Sequence, residues 1–209
     1  MKHDYVTDGA EIYRRSFATI RAEADLFGLT PDEARVAVRM IHASGQVDLV
    51  DDIAFSPGAV AAGMAALRAG APILTDVHMV ASGVTRRRLP ADNDVVCALN
   101  DPAVTEIATR IGNTRTAAAV ELWRDRLDGA VVAIGNAPTA LFHLLERLAE
   151  WDVRPAVVLG IPVGFIGAAE SKVALAENDL GLEYVVVHGR RGGSAITCGA
   201  LNALASTKE

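Results

Sequence analysis

Short runs of β-branched residues alternate with helical stretches from about residue 72 onward, and this pattern constrains the fold more than any other feature of the chain. The apolar runs are PILTDVHMVA, DVVCAL, GAVVAIG, AVVLGIPVGF and EYVVVHG, and the pattern predicts helices near 102–110, 114–126, 138–150, 168–178 and 194–205. Because strand and helix alternate, the connections should be right-handed crossovers between parallel strands. We therefore predict an α/β fold with a mainly parallel sheet that helices cover on both faces.

The N-terminal third is predicted to be helical instead. The segment DGAEIYRRSFATIRAEADL begins at Asp8, a good N-cap, and carries apolar residues at roughly helical spacing. Thr30-Pro31-Asp32-Glu33 combines a capping threonine with proline at the first helical position and glutamate at the third, which is a strong helix start. We expect this second helix to end at Gly45, and a third helix to run from Ser56-Pro57-Gly58 to Arg68.

Composition and charge disfavour several classes of protein. Hydrophobic residues make up 51% of the 209 residues but aromatic residues only 5%, which is typical of helices packed on a buried sheet. The net charge of −6 and the lack of a basic stripe argue against nucleic-acid binding. No apolar stretch has the length of a membrane span or the form of a signal peptide, so we predict a cytoplasmic location without membrane association. No linker divides the chain, which we interpret as one domain over residues 1–209.

A cationic helix face is the first candidate for chemistry. Arg35, Arg39 and His42 recur at i, i+4 and i+7 and so share one face of the second helix. Simple exposure to solvent is the alternative to ligand binding for this face. The ordinary pKa of histidine lies near neutrality, so His42 is a candidate acid or base. Because His42 lies near the helix C-terminus, we expect the helix dipole to favour its protonated form.

Further arginines lie at the ends of predicted elements, and they indicate an anionic small molecule. Guanidinium groups suit carboxylates and phosphates, and the loops GRRGGSA and GNAPTAL also offer backbone amides at helix starts. For GNAPTAL, which contains Asn136, an ordinary strand-to-helix turn is the alternative. These arginines are Arg14, Arg15, Arg86, Arg87, Arg88, Arg115, Arg190 and Arg191.

The usual signatures of phosphate loops, dinucleotide sites and zinc sites are missing from the sequence. Asp76 and His78 can face one side of a strand, and three aspartates cluster at residues 48–52, but neither group has a recognisable metal-ligand spacing. Strand-end hydrogen bonding and a solvated acidic loop are the alternatives to metal binding. We predict no metal and no cofactor.

Seven segments stand out when the chain is taken as a whole: YRRSF, RMIHASGQVDLVDDIAFSPGAV, GAPILTDVHMVASGV, GNTRTAAAVELW, GAVVAIGNAPTALF, PAVVLGIPVGFIGAAESK and GRRGGSAITCGALNALA. In this order, and over nearly the whole chain, they resemble the precorrin-8X methylmutase family of cobalamin biosynthesis. No single segment is a catalytic signature shared across folds, but the ordered set points to one family.

The resemblance implies an isomerase that moves a methyl group from C-11 to C-12 of a corrinoid ring, converting precorrin-8X to hydrogenobyrinate without an added cofactor. It also implies a flavodoxin-like α/β/α fold and a homodimer with active sites near the subunit interface. His42 in RMIH matches the proton donor/acceptor of the family. Ser16 and Arg39 match substrate-binding positions, and Thr85, Arg115 and Asn136 resemble further ones.

Three alternative functions stay open at this point. The first is the same isomerisation on cobalt-precorrin-8, which gives cobyrinate. The second is a non-catalytic corrinoid carrier, which needs an arginine-lined pocket but no proton donor. The third is a nucleotide-binding domain of flavodoxin-like fold, which the missing phosphate-loop signatures disfavour.

Overall fold

The computed structural model describes residues 3–206, and the N-terminal part of this range is mainly helical. Two helices, α1 and α2, come first, followed by a 3₁₀ segment, a short strand and a third helix. Their bounds are Gly9–Glu23 for α1, Pro31–Ser44 for α2, Val47–Asp52 for the 3₁₀ segment, Ile53–Phe55 for β1 and Ala59–Arg68 for α3.

The predicted helix ends of this region are largely confirmed. Asp8 accepts a hydrogen bond from the backbone amide of Ala10 at 2.9 Å, which caps α1. Thr30 and Glu33 form a reciprocal capping box at the start of α2. Gly45 ends α2 with a left-handed φ of 69°, a conformation that glycine adopts without steric cost.

Alternating strands and helices build the rest of the structure. They are β2 Ile73–Thr75, α4 His78–Gly83, a 3₁₀ turn Arg86–Arg88, β3 Val95–Val96, α5 Val104–Ile111, α6 Arg115–Glu121, a 3₁₀ turn Arg124–Arg126, β4 Val131–Ile134, α7 Pro138–Glu150, β5 Val157–Gly160, α8 Ala168–Ala176, β6 Tyr184–Val187 and α9 Ser194–Ala205.

The six strands form one sheet in the order β1-β6-β5-β4-β2-β3. Strands β2 to β6 are parallel to their neighbours, and β1 pairs with β6 in the antiparallel direction. Counted along the chain, the five parallel strands have the spatial order 2-1-3-4-5, which is the flavodoxin-like arrangement. The predicted fold class is therefore confirmed, with the antiparallel strand β1 as an addition that the sequence did not indicate.

Helices cover both faces of the sheet and give it two apolar layers. In β4, Val131 and Ala133 pack in the layer that contains residues of α2, α3 and α9. Val132 and Ile134 point the other way, into the layer formed with α6, α7 and α8. This alternation is expected for a strand buried on both faces. Helices α2 and α9 thus share one layer, and their carboxyl and amino ends, respectively, reach the same end of the molecule.

Several predicted elements are wrong in extent. The strand predicted in DVVCAL is only Val95–Val96, and the helix predicted near 114–126 ends at Glu121, before a separate 3₁₀ turn. PILTDVHMVA is not one strand, because β2 stops at Thr75 and His78 begins α4. Asp76 and His78 therefore do not share the face of a strand. The third helix begins at Ala59 rather than at Ser56, because the Ser56 side chain bonds Glu183 and the amide of Tyr184 instead of capping the helix. The ends of the predicted domain, residues 1–2 and 207–209, lie outside the described residues.

Candidate active site

His42 lies in the last turn of α2, where the helix leaves the apolar layer. Residues 34–41 of α2 are all buried, whereas His42 is partly exposed. Helix α9 packs closely along α2, and Gly199 permits this approach. A Cβ atom at Gly199 would lie 2.8 Å from the carbonyl oxygen of Arg39, which is too short for any side chain. This close packing therefore fixes the backbone at the end of α2, from which the side chain of His42 projects.

Two aromatic rings and one guanidinium group surround the imidazole of His42. The ring centroid of His42 lies 5.3 Å from that of Tyr13 and 5.0 Å from that of Phe17, both from α1. The guanidinium carbon of Arg39 lies 5.1 Å from the centroid of Phe17, which is within cation–π range. Arg39 is only 6% exposed. The imidazole thus stands beside a largely desolvated cation and against an apolar wall.

These surroundings lower the pKa of His42 below its ordinary value. Burial is the main cause, and the positive charge of Arg39 acts in the same direction. The expectation that the helix dipole would favour the protonated form is therefore wrong for the free protein. Removal from water and a neighbouring cation outweigh the partial negative charge of the helix end.

A cavity of about 210 Å³ opens beside His42. It is bordered by Arg39, His42 and Thr85, together with Cys198 and Asn202 of α9. The amide oxygen of Asn202 accepts a hydrogen bond from the backbone amide of Thr85 at 2.8 Å, and its NH₂ group donates to the carbonyl of Gly83 at 3.0 Å. Asn202 thereby fixes the position of Thr85, a role that the sequence did not reveal.

Ser16 borders a second cavity, which has a volume of about 530 Å³ and is also lined by His42. The structure thus places His42 at the boundary between two cavities, one with Arg39 and Thr85 and the other with Ser16. Three of the other five predicted site residues, Ser16, Arg39 and Thr85, thus line cavities that His42 also borders.

Arg115 and Asn136 lie elsewhere in this chain, after the carboxyl ends of β3 and β4. Arg115 is exposed at the start of α6 and donates to the carbonyl of Leu99 at 3.0 Å. The side chain of Asn136 is also exposed, and its backbone amide donates to Asp76 at 2.9 Å. Neither residue borders the cavities beside His42. Their roles in substrate binding stay predictions.

Asp76 fills the point where the strand order reverses, between β2 and β4. Its carboxylate accepts backbone hydrogen bonds from Gly135 at 3.0 Å, Asn136 at 2.9 Å and Ala137 at 2.8 Å. Burial raises the pKa of Asp76, and the three amide hydrogen bonds oppose this effect. Strand-end hydrogen bonding, the alternative to metal binding, is therefore what the structure shows for Asp76.

The loops after β5 and β6 are tied to the rest of the molecule by charged groups. The ammonium group of Lys172 is buried and donates to the carbonyls of Pro162 at 3.1 Å and Arg191 at 2.7 Å. Burial lowers the pKa of Lys172 to about 8, although Asp52 opposes the shift. Arg191 itself bonds Asp48 at 2.9 Å and Asp52 at 2.5 Å. One arginine of the GRRGGS loop is thus neutralised internally by the acidic segment, which is not merely solvated.

Neither a membrane-spanning helix nor a metal-binding cluster is found within residues 3–206. No helix in that range is long and apolar enough to cross a membrane. Within the same range, no three or more His, Cys, Asp or Glu side chains converge in a way that would hold a metal ion.

The topology and the cavity together define a class: a flavodoxin-like α/β protein with a cationic cavity that is bordered by a partly buried histidine. The profile of the family described as Precorrin-8X methylmutase matches residues 11–207. The chain belongs to this family, as the seven sequence segments predicted.

Individual relatives agree with this assignment. A Precorrin-8X methylmutase of Pseudomonas aeruginosa is 61% identical over 206 residues, which is 99% of this chain and 99% of the relative. A second, from Sinorhizobium sp., is 59% identical over 98% of this chain and 97% of its own length. A Cobalt-precorrin-8 methylmutase of Priestia megaterium is 36% identical over 93% of this chain and 86% of its own. The crystal structure of a precorrin-8X methylmutase from Thermus thermophilus superposes with a TM-score of 0.85 and 42% identity, covering 94% of this chain and 95% of that one.

Proposed function

We propose that this protein is an isomerase that converts precorrin-8X to hydrogenobyrinate by moving a methyl group from C-11 to C-12, with His42 as the proton donor/acceptor. The observation that carries the proposal is the convergence of His42, Arg39 and Thr85 on one cavity. The 61% identical relative from Pseudomonas aeruginosa carries the name of this activity and supports it independently.

The reaction suits a site of this composition. The methyl group leaves one ring carbon and bonds its neighbour within the same molecule, so no atom is gained or lost. A proton or hydrogen bond placed on a conjugated ring nitrogen draws electron density from the macrocycle and lowers the barrier to this shift. His42 is the group that supplies it, and Tyr13 and Phe17 give the flat ring an apolar surface.

Substrate binding would adjust the charge of His42. In the free protein, the lowered pKa keeps the imidazole mainly neutral at neutral pH. The acetate and propionate groups of the substrate are negative, and a carboxylate beside Arg39 would offset the charge that disfavours imidazolium. His42 would therefore become a better proton donor when the cavity is occupied. Ser16, Arg39 and Thr85 are the proposed substrate contacts of this chain.

The decisive experiment compares His42→Asn with His78→Asn. His78 is an exposed histidine at the start of α4 that borders a different cavity. We expect His42→Asn to lower the rate of conversion of precorrin-8X by about a hundredfold or more, the usual contribution of a general acid. His78→Asn should retain the parental rate. Conversion is followed by the absorption spectrum of the corrinoid, and product binding by titration.

The possible outcomes of these measurements distinguish the candidate functions. If His42→Asn converts substrate at the parental rate, the assignment of His42 is wrong. If the parental protein binds hydrogenobyrinate but does not convert precorrin-8X, a carrier role replaces the catalytic one. If FMN or ATP raises the melting temperature and hydrogenobyrinate does not, the protein is a nucleotide-binding domain.

We propose that the substrate is precorrin-8X, which lacks a metal, rather than cobalt-precorrin-8. The relatives from Pseudomonas aeruginosa and Sinorhizobium sp. share 61% and 59% identity, whereas the cobalt-precorrin-8 enzyme of Priestia megaterium shares 36%. Parallel assays with precorrin-8X and cobalt-precorrin-8 test this preference. A higher kcat/KM with the cobalt compound would reverse it.

We also propose that the protein acts as a homodimer whose partner subunit completes each site. The positions of Arg115 and Asn136, exposed and away from the cavity beside His42, support this arrangement. Mixing and exchanging the subunits of His42→Asn and Arg115→Ala should restore about a quarter of the parental activity, because half of the dimers then contain one intact site. No recovery, or a monomer by light scattering, would contradict a shared site. The cytoplasmic location and the lack of a nucleic-acid partner stay predictions from composition and charge.

A further inference from the structure

A third cavity, with a volume of about 740 Å³, lies between α1 and the 3₁₀ turn Arg86–Arg88. We call it the α1 groove. Its volume is within the range of sites for small molecules and cofactors. It shares Tyr13, Arg87 and Arg88 with the cavity beside His42, so the two spaces adjoin at these three side chains. The residues that line the groove are Gly9, Ala10, Tyr13, Arg14, Phe17, Ala18, Arg21, Arg87 and Arg88.

The charge of the α1 groove is uniformly positive among the residues that line it. Four arginines contribute to the lining, and no aspartate or glutamate does so within the described part of the chain. Arg14 is already paired with Glu11, with N–O distances of 2.7 and 2.6 Å. Arg87 and Arg88 show no ion pair with any of residues 3–206. The described lining of this groove is therefore cationic, although the protein as a whole carries a net charge of −6.

The rest of the groove is apolar. Ala10, Tyr13, Phe17 and Ala18 form a stripe along α1, and Phe17 is also the ring that packs on His42. An apolar surface bordered by cations fits a ligand with a flat hydrocarbon body and acidic substituents. Guanidinium groups bind such carboxylates by paired, charge-assisted hydrogen bonds.

We propose that Arg87 and Arg88 form a carboxylate-binding subsite that holds the acidic side chains of the corrinoid while its ring meets His42. This inference rests on the proposed function and adds two specificity-determining residues to it. The subsite selects substrates whose peripheral acids are free and charged, because neutral amides or esters at the same positions would not pair with the two guanidinium groups.

The neighbouring arginine provides a matched control. Arg86 belongs to the same 3₁₀ turn but borders a different cavity, together with His78 and Cys97. Its charge acts on Asp94, whose pKa is lowered mainly by a hydrogen bond from Arg126 and in smaller part by Arg86. The side chain of Arg86 therefore faces a different cavity from those of Arg87 and Arg88, although the three residues are consecutive in the sequence.

The test compares the double variant Arg87→Gln/Arg88→Gln with Arg86→Gln. The dissociation constant of hydrogenobyrinate is measured by absorption titration at low and high salt concentration, and KM and kcat are measured with precorrin-8X. We expect the double variant to bind product about tenfold more weakly at low salt, because two partly exposed ion pairs are lost. Its dissociation constant should also depend less on salt, since fewer charges remain to be screened. KM should rise while kcat changes little.

Arg86→Gln should bind product within about twofold of the parental protein, since its charge is directed away from the groove. Melting temperatures of all variants show whether each is folded. The subsite is wrong if the double variant is folded and has the parental dissociation constant and salt dependence. It is also wrong if Arg86→Gln weakens binding equally, because general surface charge would then explain the effect. Failure of the parental protein to convert or bind any corrinoid would instead overturn the proposed function, and the subsite with it.

Discussion

Two regions of this molecule are built to hold negative charge, and they differ in where that charge comes from. At the reversal of strand order between β2 and β4, three backbone amides converge on Asp76, a side chain of the protein itself. In the α1 groove, Arg87 and Arg88 meet no carboxylate of residues 3–206. Folds of this topology commonly bind ligands at the first of these places. Here Asp76 already accepts the amide hydrogen bonds at that place, and the proposed site beside His42 lies between α1, α2 and α9.

From this comparison we predict that Asp76 and its three amide hydrogen bonds stabilise the folded protein. Asp76→Ala leaves three amides at the end of β4 without their acceptor, and the cost of each unmet buried group is about 1 to 3 kcal/mol. We expect the free energy of unfolding in urea to fall by about 4 kcal/mol or more. As a control, Asp128→Ala removes an aspartate that accepts one backbone hydrogen bond, from Arg154 at 3.0 Å, in an exposed position. A loss no larger than that of the control would show that Asp76 does not hold this turn together.

A buried cation extends the comparison to positive charge. The folded protein releases the proton of Lys172 near pH 8 and the unfolded chain near pH 10.5, so the unfolded chain binds more protons in between. The free energy of unfolding should therefore rise with pH across this window, by as much as about 3 kcal/mol. Lys172→Met should lack this rise, which is measured as the difference between the two proteins in urea unfolding from pH 7.5 to 10.5. Parallel curves for the two proteins would contradict the prediction.

In the second region, the charge of Arg39 should be measurable on His42. Arg39→Gln removes the cation that helps to lower the pKa of the imidazole, so the pKa should move upward. NMR titration of the His42 ring in the free protein measures this shift without reference to activity. Arg68→Gln, which removes an exposed arginine at the end of α3, should leave the titration of His42 unchanged. An unchanged pKa in Arg39→Gln would mean that burial alone controls the imidazole.

The smallest expected effect separates paired from unpaired arginines within the groove. Arg14 already bonds Glu11, whose pKa is lowered to about 2 by hydrogen bonds from Arg14 and Arg15. Arg14→Gln should therefore change the dissociation constant of hydrogenobyrinate by less than about twofold. The same titration as for the Arg87→Gln/Arg88→Gln variant measures it. An equal loss in both would indicate that the groove responds only to total charge.

The parts of the fold that local rules govern could be predicted from the sequence. The capping box of Thr30 and Glu33, the left-handed Gly45 and the valine-rich strands all depend on residues near one another in the chain. Strand β1 could not, because its three residues are only partly buried and owe their conformation to pairing with β6. The end of β2 depends in the same way on amides about 60 residues further along the chain.

In the candidate site, too, the features that depend on nearby residues could be predicted and those that depend on distant residues could not. The helical spacing of Arg39 and His42 placed the two side chains correctly next to each other. The direction of the His42 pKa shift was wrong, because Tyr13 and Phe17 approach from another helix and exclude water. The sequence RRR also does not reveal that Arg86 faces one cavity while Arg87 and Arg88 face two others. Such directions depend on how the turn packs against α1 and α9.

The sheet ends on one side in β1, with three residues, and on the other in β3, with two. Edges this short expose few unpaired backbone groups, so they protect the protein against indiscriminate strand addition and aggregation. Few residues of either edge strand are available to pair with another strand. A continuous sheet across two copies of the chain is therefore disfavoured. In the proposed homodimer, the subunits would then meet through side chains of helices and loops, whose shapes and charges can be specific to one partner.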